Sequence, residues 1–269
     1  MMAEQRMTTF DDTEWLYAPQ EPYVSYGGVT LYLQLIFPYR RDITEGERYP
    51  VILYIPGAAW YRQEMYNSVP QWAKLAEKGA VVAAVQVRAS TEAKFPAQTE
   101  DVLAAMRHLA KDAAKWHIDP HRMYLAGQSS GGHIALMTLL TKLGEIGEAP
   151  DFTLRGLIAV SAPTDLRLCG GGPTMDLLGV SSMEAEPDKV AAASCDTYIS
   201  RETPLPRILL IHGTMDETVS ILHSERLHRQ LLIAGKRVEF LQVSGAGHGG
   251  AWQWREPLLE RVMKFVREG

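Results

Sequence analysis

A serine set between glycines is the first chemistry this sequence offers. Gly127-Gln128-Ser129-Ser130-Gly131 fits Gly-x-Ser-x-Gly, with an apolar run ending at Ala126 and a helical pattern from about Gly131 to Leu140. On so sharp a strand-to-helix turn a residue takes a strained backbone conformation, and flanking glycines permit it because a Cβ would strike the neighbouring strand and helix. Ser129 would then stand above a sheet at the positive end of a helix, where developing negative charge is favoured. The blander reading of the same residues is a helix cap, with Ser129 and Ser130 at the N-terminus and glycines for close packing.

The partners weigh against the cap. A serine hydroxyl is a poor nucleophile at neutral pH and needs a base, and the base needs a carboxylate to hold its tautomer. After the apolar run Arg207 to Ile211, the segment "HGTMDETV" places Asp216 just beyond a strand end. After Val238 to Val243, "SGAGHGG" places His248 in a glycine-rich loop at the same sheet edge, where open α/β sheets bind ligands. Asp216 on its own also suits a turn or a helix N-cap. The chain order Ser, Asp, His is the one this architecture uses. Of the other histidines, His212 is read as support for the Asp216 loop and His133 as facing neighbouring helices. His108, His223 and His228 fall inside helical patterns and are read as surface residues.

The elements that must position these residues are legible as alternation. Apolar runs at Val51 to Ile55, Val81 to Val87, Arg122 to Ala126, Gly156 to Val160, Arg207 to Ile211 and Val238 to Val243 read as buried parallel strands. Between them, Ser68 with Gln71 forms a capping box, and Val102, Ala105, Met106 and Leu109 share a helical face. Leu227 and Leu231 lie on a helix ended by Gly235, and Leu259, Val262, Met263 and Val266 line a last one. This predicts a mostly parallel central sheet of about eight strands with helices on both faces. "YVSY", Gly27-Gly28 and "VTLYLQLIF" predict an N-terminal antiparallel hairpin. Residues 163–206, with Gly170-Gly171-Gly172 and few long apolar repeats, read as a small lid-like insertion in one domain over 1–269.

Composition narrows the partners. The formal net charge is −5 and no basic face is clustered, so no nucleic acid is expected. The two cysteines, Cys169 and Cys195, form no CxxC pair, so neither a zinc site nor a disulfide framework is signalled, and no metal or cofactor is assigned. No apolar run approaches the ~20 residues of a membrane span, and the N-terminal residues lack a signal-peptide core, so a cytoplasmic protein without a membrane partner is expected. A homo-oligomer stays open.

These residues resemble the α/β-hydrolase superfamily, in the branch of hormone-sensitive-lipase-like and feruloyl-esterase-like carboxylesterases. The likeness runs from about Tyr49 onward. It rests on Gly127 to Gly132, "HGTMDETV", "GAGHGG", "IDPHRMYLAG" and "VRASTEAKFPAQTEDV". It implies an α/β-hydrolase fold and a serine esterase with Ser129, Asp216 and His248 as the catalytic residues. The same likeness implies a structural pair between Arg88 and Asp101. Where the family has His-Gly-Gly-Gly-Trp, this chain has Pro56-Gly57-Ala58-Ala59-Trp60. Backbone N–H groups of Ala58, Ala59 and Ser130 are the matching oxyanion donors, Ser130 through its N–H rather than its hydroxyl.

Trp60, Tyr61, Trp252 and Trp254 fall in loops beside this site and suggest an aromatic mouth for substrate, against a plain role in packing. The expected substrate is a small-molecule ester, short-chain acyl or acylated carbohydrate. Two alternatives are carried: amide hydrolysis of the arylformamidase or small-peptidase type, and a non-catalytic binding protein on a hydrolase scaffold.

Overall fold

The computed structural model describes residues 14–39, 46–149 and 151–269. Strands β1 (Glu14–Tyr26) and β2 (Val29–Tyr39) form the expected hairpin, turned by Gly27 and Gly28 at φ 53° and 93°. Two successive positive φ values match the twist that a two-residue hairpin loop needs. The chain then alternates: β3 (Tyr49–Ile55), α1 (Val69–Ala76), β4 (Val81–Val85), α2 (Ala97–Lys111), β5 (Ile118–Gln128), α3 (Ser130–Thr141) and α4 (Leu143–Gly147). It continues through β6 (Leu154–Val160), α5 (Pro173–Leu178), α6 (Pro187–Ala192), β7 (Arg207–Gly213), α7 (Leu222–Ile233), β8 (Val238–Val243) and α8 (Glu256–Arg267).

The eight strands lie in the order β1-β2-β4-β3-β5-β6-β7-β8. The pairs β1–β2 and β2–β4 are antiparallel, and every pair from β4 to β8 is parallel. From β3 the chain steps outward to β4, then crosses back to place β5 on the other side of β3. That reversal parts the loops leaving β3 and β5, and a crevice opens at their C-terminal ends.

Strand alternation builds two cores. Val51, Leu53 and Ile55 of β3 join Val102 and Met106 of α2 and Ala135 and Leu139 of α3 on one face. Ile52 and Tyr54 join Trp72 of α1 and Met263 and Val266 of α8 on the other. Successive side chains of a strand point oppositely, so a run apolar at every position must be covered twice.

Local expectations differ from the structure in detail, as where β4 ends at Val85 short of the expected Val87. Ser68 precedes α1 but makes no side-chain cap; its carbonyl accepts the N–H groups of Gln71 and Trp72 instead. β5 starts at Ile118, ahead of the expected Arg122, because Ile118 already pairs with Tyr49. The 163–206 segment holds α5, α6 and two short 3-10 turns, Leu166–Leu168 and Cys195–Tyr198. Leu166, Leu177, Val190, Ala193 and Cys195 enter the larger core. Each helix is too short to leave a period in the sequence, which is why the segment reads as irregular there. Among the described residues no helix is long and apolar enough to cross a membrane.

Candidate active site

The turn from β5 into α3 places Ser129 at φ 55°, ψ −129°, a region an L-residue occupies only when its surroundings force it. The surroundings here are backbone. A Cβ on Gly131 would lie 2.0 Å from the Ile55 carbonyl oxygen, and one on Gly127 would lie 2.4 Å from that of Gly131. Only glycine lets α3 start this close to β3 and β5.

Asp216 follows β7, and its side chain is fully buried. Its Oδ1 accepts the N–H groups of Thr218 at 3.0 Å and Val219 at 2.8 Å. Burial pushes its carboxyl upward, but the Val219 N–H and His248 outweigh this and hold it below the ordinary carboxylate value. His248 Nδ1 lies 2.8 Å from Asp216 Oδ2, and its Nε2 lies 2.9 Å from Ser129 Oγ. A carboxylate only accepts, so Nδ1 carries the proton and the Nε2 lone pair faces the hydroxyl. The structure thus brings together all three residues read from the sequence.

Two crossings tie the loops of Asp216 and His248. Met215 N–H donates to the Ala246 carbonyl at 2.9 Å, and Gly245 N–H donates to Thr214 Oγ1 at 2.9 Å. His212, in β7, donates Nε2–H to the Val219 carbonyl at 2.9 Å while Nδ1 meets Ser224 Oγ at 2.8 Å. It supports the Asp216 loop as expected, and burial lowers its pKa, so it stays neutral.

The loop after β3 departs from expectation in its details. Gly57 is indispensable, since a Cβ there would come within 2.8 Å of Gln128 and Ser129. Ala58 and Ala59 carry their methyl groups at half-buried and exposed positions, where there is room. Ala59 and Trp60 both have positive φ, 49° and 62°, and Tyr61 N–H closes the turn on the Ala58 carbonyl at 2.9 Å. The Ala58 N–H does not face open space: it donates to Ser130 Oγ at 3.0 Å. The Ser130 hydroxyl, expected to take no part, lies inside the loop.

The aromatic mouth is not formed as anticipated. Trp60 is buried, because the left-handed turn throws its indole inward, and its N–H donates to His133 Nδ1 at 3.1 Å. Trp252 and Trp254 pack against the second core, Trp254 with its ring 5.8 Å from that of Tyr54. Tyr61 alone is free of a core, and its hydroxyl reaches Asp176 of α5 at 2.5 Å.

His133, expected to face neighbouring helices, also joins the loop after β3 to the segment after α6. It links Trp60 to the Ala193 carbonyl, which accepts from Nε2–H at 2.8 Å, and burial lowers its pKa to about 4. Gln128 was overlooked; its Nε2 lies 3.4 Å from His248 Nε2. His223 is buried rather than on the surface, because its Nδ1 accepts the Thr164 N–H at 3.1 Å. His108 and His228 are half-buried, the latter with its ring 5.5 Å from that of Phe240. Both cysteines are free, and burial raises both thiols, Cys169 to about 11, so neither competes as a nucleophile.

Known proteins match much of this sequence and fold. A probable isoprenylcysteine alpha-carbonyl methylesterase (ICMEL1) of Oryza sativa subsp. japonica is 27% identical over 248 residues, 81% of this chain and 56% of its own length. Esterase LipC of Mycobacterium tuberculosis is 23% identical over 233 residues, 80% and 57% of the two chains. The chain thus spans a little over half the length of these curated relatives. A solved structure, a truncated form of a carbohydrate esterase from gut microbiota, superposes with a TM-score of 0.79 at 26% identity, covering 97% of this chain and 98% of that one. The family model BD-FAE matches residues 39–231, from the end of β2 through the elbow into α7. That match takes in most of the sequence, and the strand order and elbow agree with it: the chain belongs to the BD-FAE family, with the α/β-hydrolase fold.

Proposed function

We propose that the protein is a serine carboxylic-ester hydrolase that works through an acyl-enzyme on small or short-chain acyl esters, acylated carbohydrate among them. The observation that carries this reading is the unbroken hydrogen-bonded line from Asp216 through His248 to Ser129, with Ser129 held in a strained turn. Ser129 Oγ attacks the ester carbonyl as its proton passes to His248 Nε2, and Asp216 stabilises the imidazolium. The carbonyl oxygen becomes an oxyanion beside the N-terminus of α3, where the Ser130 N–H has no intrahelical acceptor. His248 then protonates the leaving alcohol, and water repeats the sequence to release the acid.

The two curated relatives described above bear esterase names, which supports an ester over an amide. The carbohydrate esterase among the solved structures supports an acylated sugar as one substrate class. The test is a hydrolysis panel on wild type and Ser129→Ala. It spans acyl esters of increasing chain length, acetylated xylo-oligosaccharides, a feruloyl ester and N-formylkynurenine. Ser129→Ala should lose at least about a thousandfold in turnover, since such residues act as a unit. Equal background rates in both proteins would return the chain to a binding role; a preference for N-formylkynurenine would make it an amidase.

A further inference from the structure

The loop donor and the residue after the nucleophile meet in an unexpected way. Ala58 N–H and Ser130 N–H are the two groups that should converge on the oxyanion, yet Ala58 N–H already has an oxygen acceptor 3.0 Å away, the Ser130 hydroxyl. Ser130 is 2% exposed. Among the described residues its Oγ makes this one hydrogen bond and, as the acceptor in it, keeps its own proton undonated. Removing a buried donor's acceptor is costly, so a buried O–H without one is expected to find it when a ligand arrives.

We propose that the Ser130 hydroxyl is itself an oxyanion donor: its O–H points into the crevice beside Ser129 and hydrogen-bonds the substrate oxygen, while Ala58 N–H holds and polarises it from behind. This rests on the ester-hydrolase reading and adds a residue to it. No proton is transferred; it stays on Ser130 throughout, and the bond strengthens as the carbonyl oxygen gains charge.

The arrangement also accounts for the alanines. With a serine hydroxyl between loop and oxyanion, the loop need not bring its own N–H groups into direct contact. A glycine is then required only at Gly57, where the backbone is jammed against Gln128 and Ser129. Chained hydrogen bonds of this kind polarise one another, which favours a donor that is itself an acceptor.

The test compares turnover of Ser130→Ala, Ser130→Cys and Ser130→Thr with wild type, and a fluorophosphonate probe labels Ser129 in separate samples of each protein. The expected result is a fall in kcat of about a hundredfold for Ser130→Ala with KM little changed. Ser130→Cys, close in size but a weak donor, should fall similarly, and Ser130→Thr should recover most of the rate. Affinity for a trifluoromethyl ketone, whose adduct carries the oxyanion, should fall in parallel, whereas labelling of Ser129 persists. If Ser130→Ala fails to fold, the Cys and Thr pair decides. Equal kcat in Ser130→Cys and wild type, or a rise in rate on removing the hydroxyl, overturns the proposal and leaves the esterase reading standing. A wild type that the probe does not label at Ser129 overturns both.

Discussion

Gly131 and Ala59 are both small residues beside the crevice, and the backbone treats them oppositely. At Gly131 any Cβ meets the Ile55 carbonyl at 2.0 Å, and neither partner is a side chain that can turn away. Gly131→Ala should therefore cost at least about 3 kcal/mol, read as a lowered urea midpoint. Wild-type stability in that variant would mean that α3 and β3 part freely, contrary to the packing described. At Ala59 the methyl is exposed and only the positive φ is unfavourable, so Ala59→Gly should change stability by no more than about 1 kcal/mol. Ser129, Asp216 and His248 were legible because each residue type falls just past a strand end, and strand ends can be read from apolar runs. Trp60 and His223 were not. A residue type does not say which way a left-handed turn throws a ring, nor that a helix carries a histidine on its inner face.

At the scale of elements, the joint between β4 and α2 is an ion pair. Arg88 Nη2 lies 2.7 Å from Asp101 Oδ1, and the Arg88 N–H donates to Oδ2 at 2.8 Å. The Arg88 guanidinium also covers the Tyr26 ring at 4.0 Å, so the hairpin joins in. Burial raises the Asp101 carboxyl most, and Arg88 draws it back. Asp101→Asn leaves the half-buried Arg88 guanidinium with only the exposed Glu100 carboxylate, 3.4 Å away, as counter-charge and should lose about 3 kcal/mol in denaturant unfolding. A loss under about 1 kcal/mol would show that water replaces the carboxylate. The resemblance to known hydrolases implies this pair, and the structure forms it. The 163–206 segment was less legible. Besides the side chains it buries in the larger core, it is tied down by scattered polar contacts, Tyr61 to Asp176 and His133 to Ala193 among them, that leave no pattern in the sequence. Tyr61→Phe removes one such contact. Stability should shift by about 1 kcal/mol or less while the amides of α5 exchange faster with solvent.

For the whole molecule, the buried histidines His133, His212 and His223, all lowered by burial, respond to acid in the same sense. Burial lowers His133 and His223 to about 4 from an ordinary 6.5, and both are acceptors that protonation would convert to donors. The unfolded chain takes up these protons first, so stability falls as pH drops from about 6.5 to about 4 and levels off below. Each contributes on the order of 3 kcal/mol. Thermal midpoints across this window should decline for wild type and decline less for His223→Gln; identical slopes would assign the acid response elsewhere. The sheet order that makes the crevice also sets a time at which it can act. Ser129 lies 119 residues ahead of its base, and the base lies 32 residues beyond its carboxylate, on the loop leaving the edge strand. During synthesis the elbow can be complete while β8 is still unmade. On the proposed ester-hydrolase reading, a growing chain therefore carries the elbow serine before its base exists, and reactivity waits for the loop that follows the edge strand.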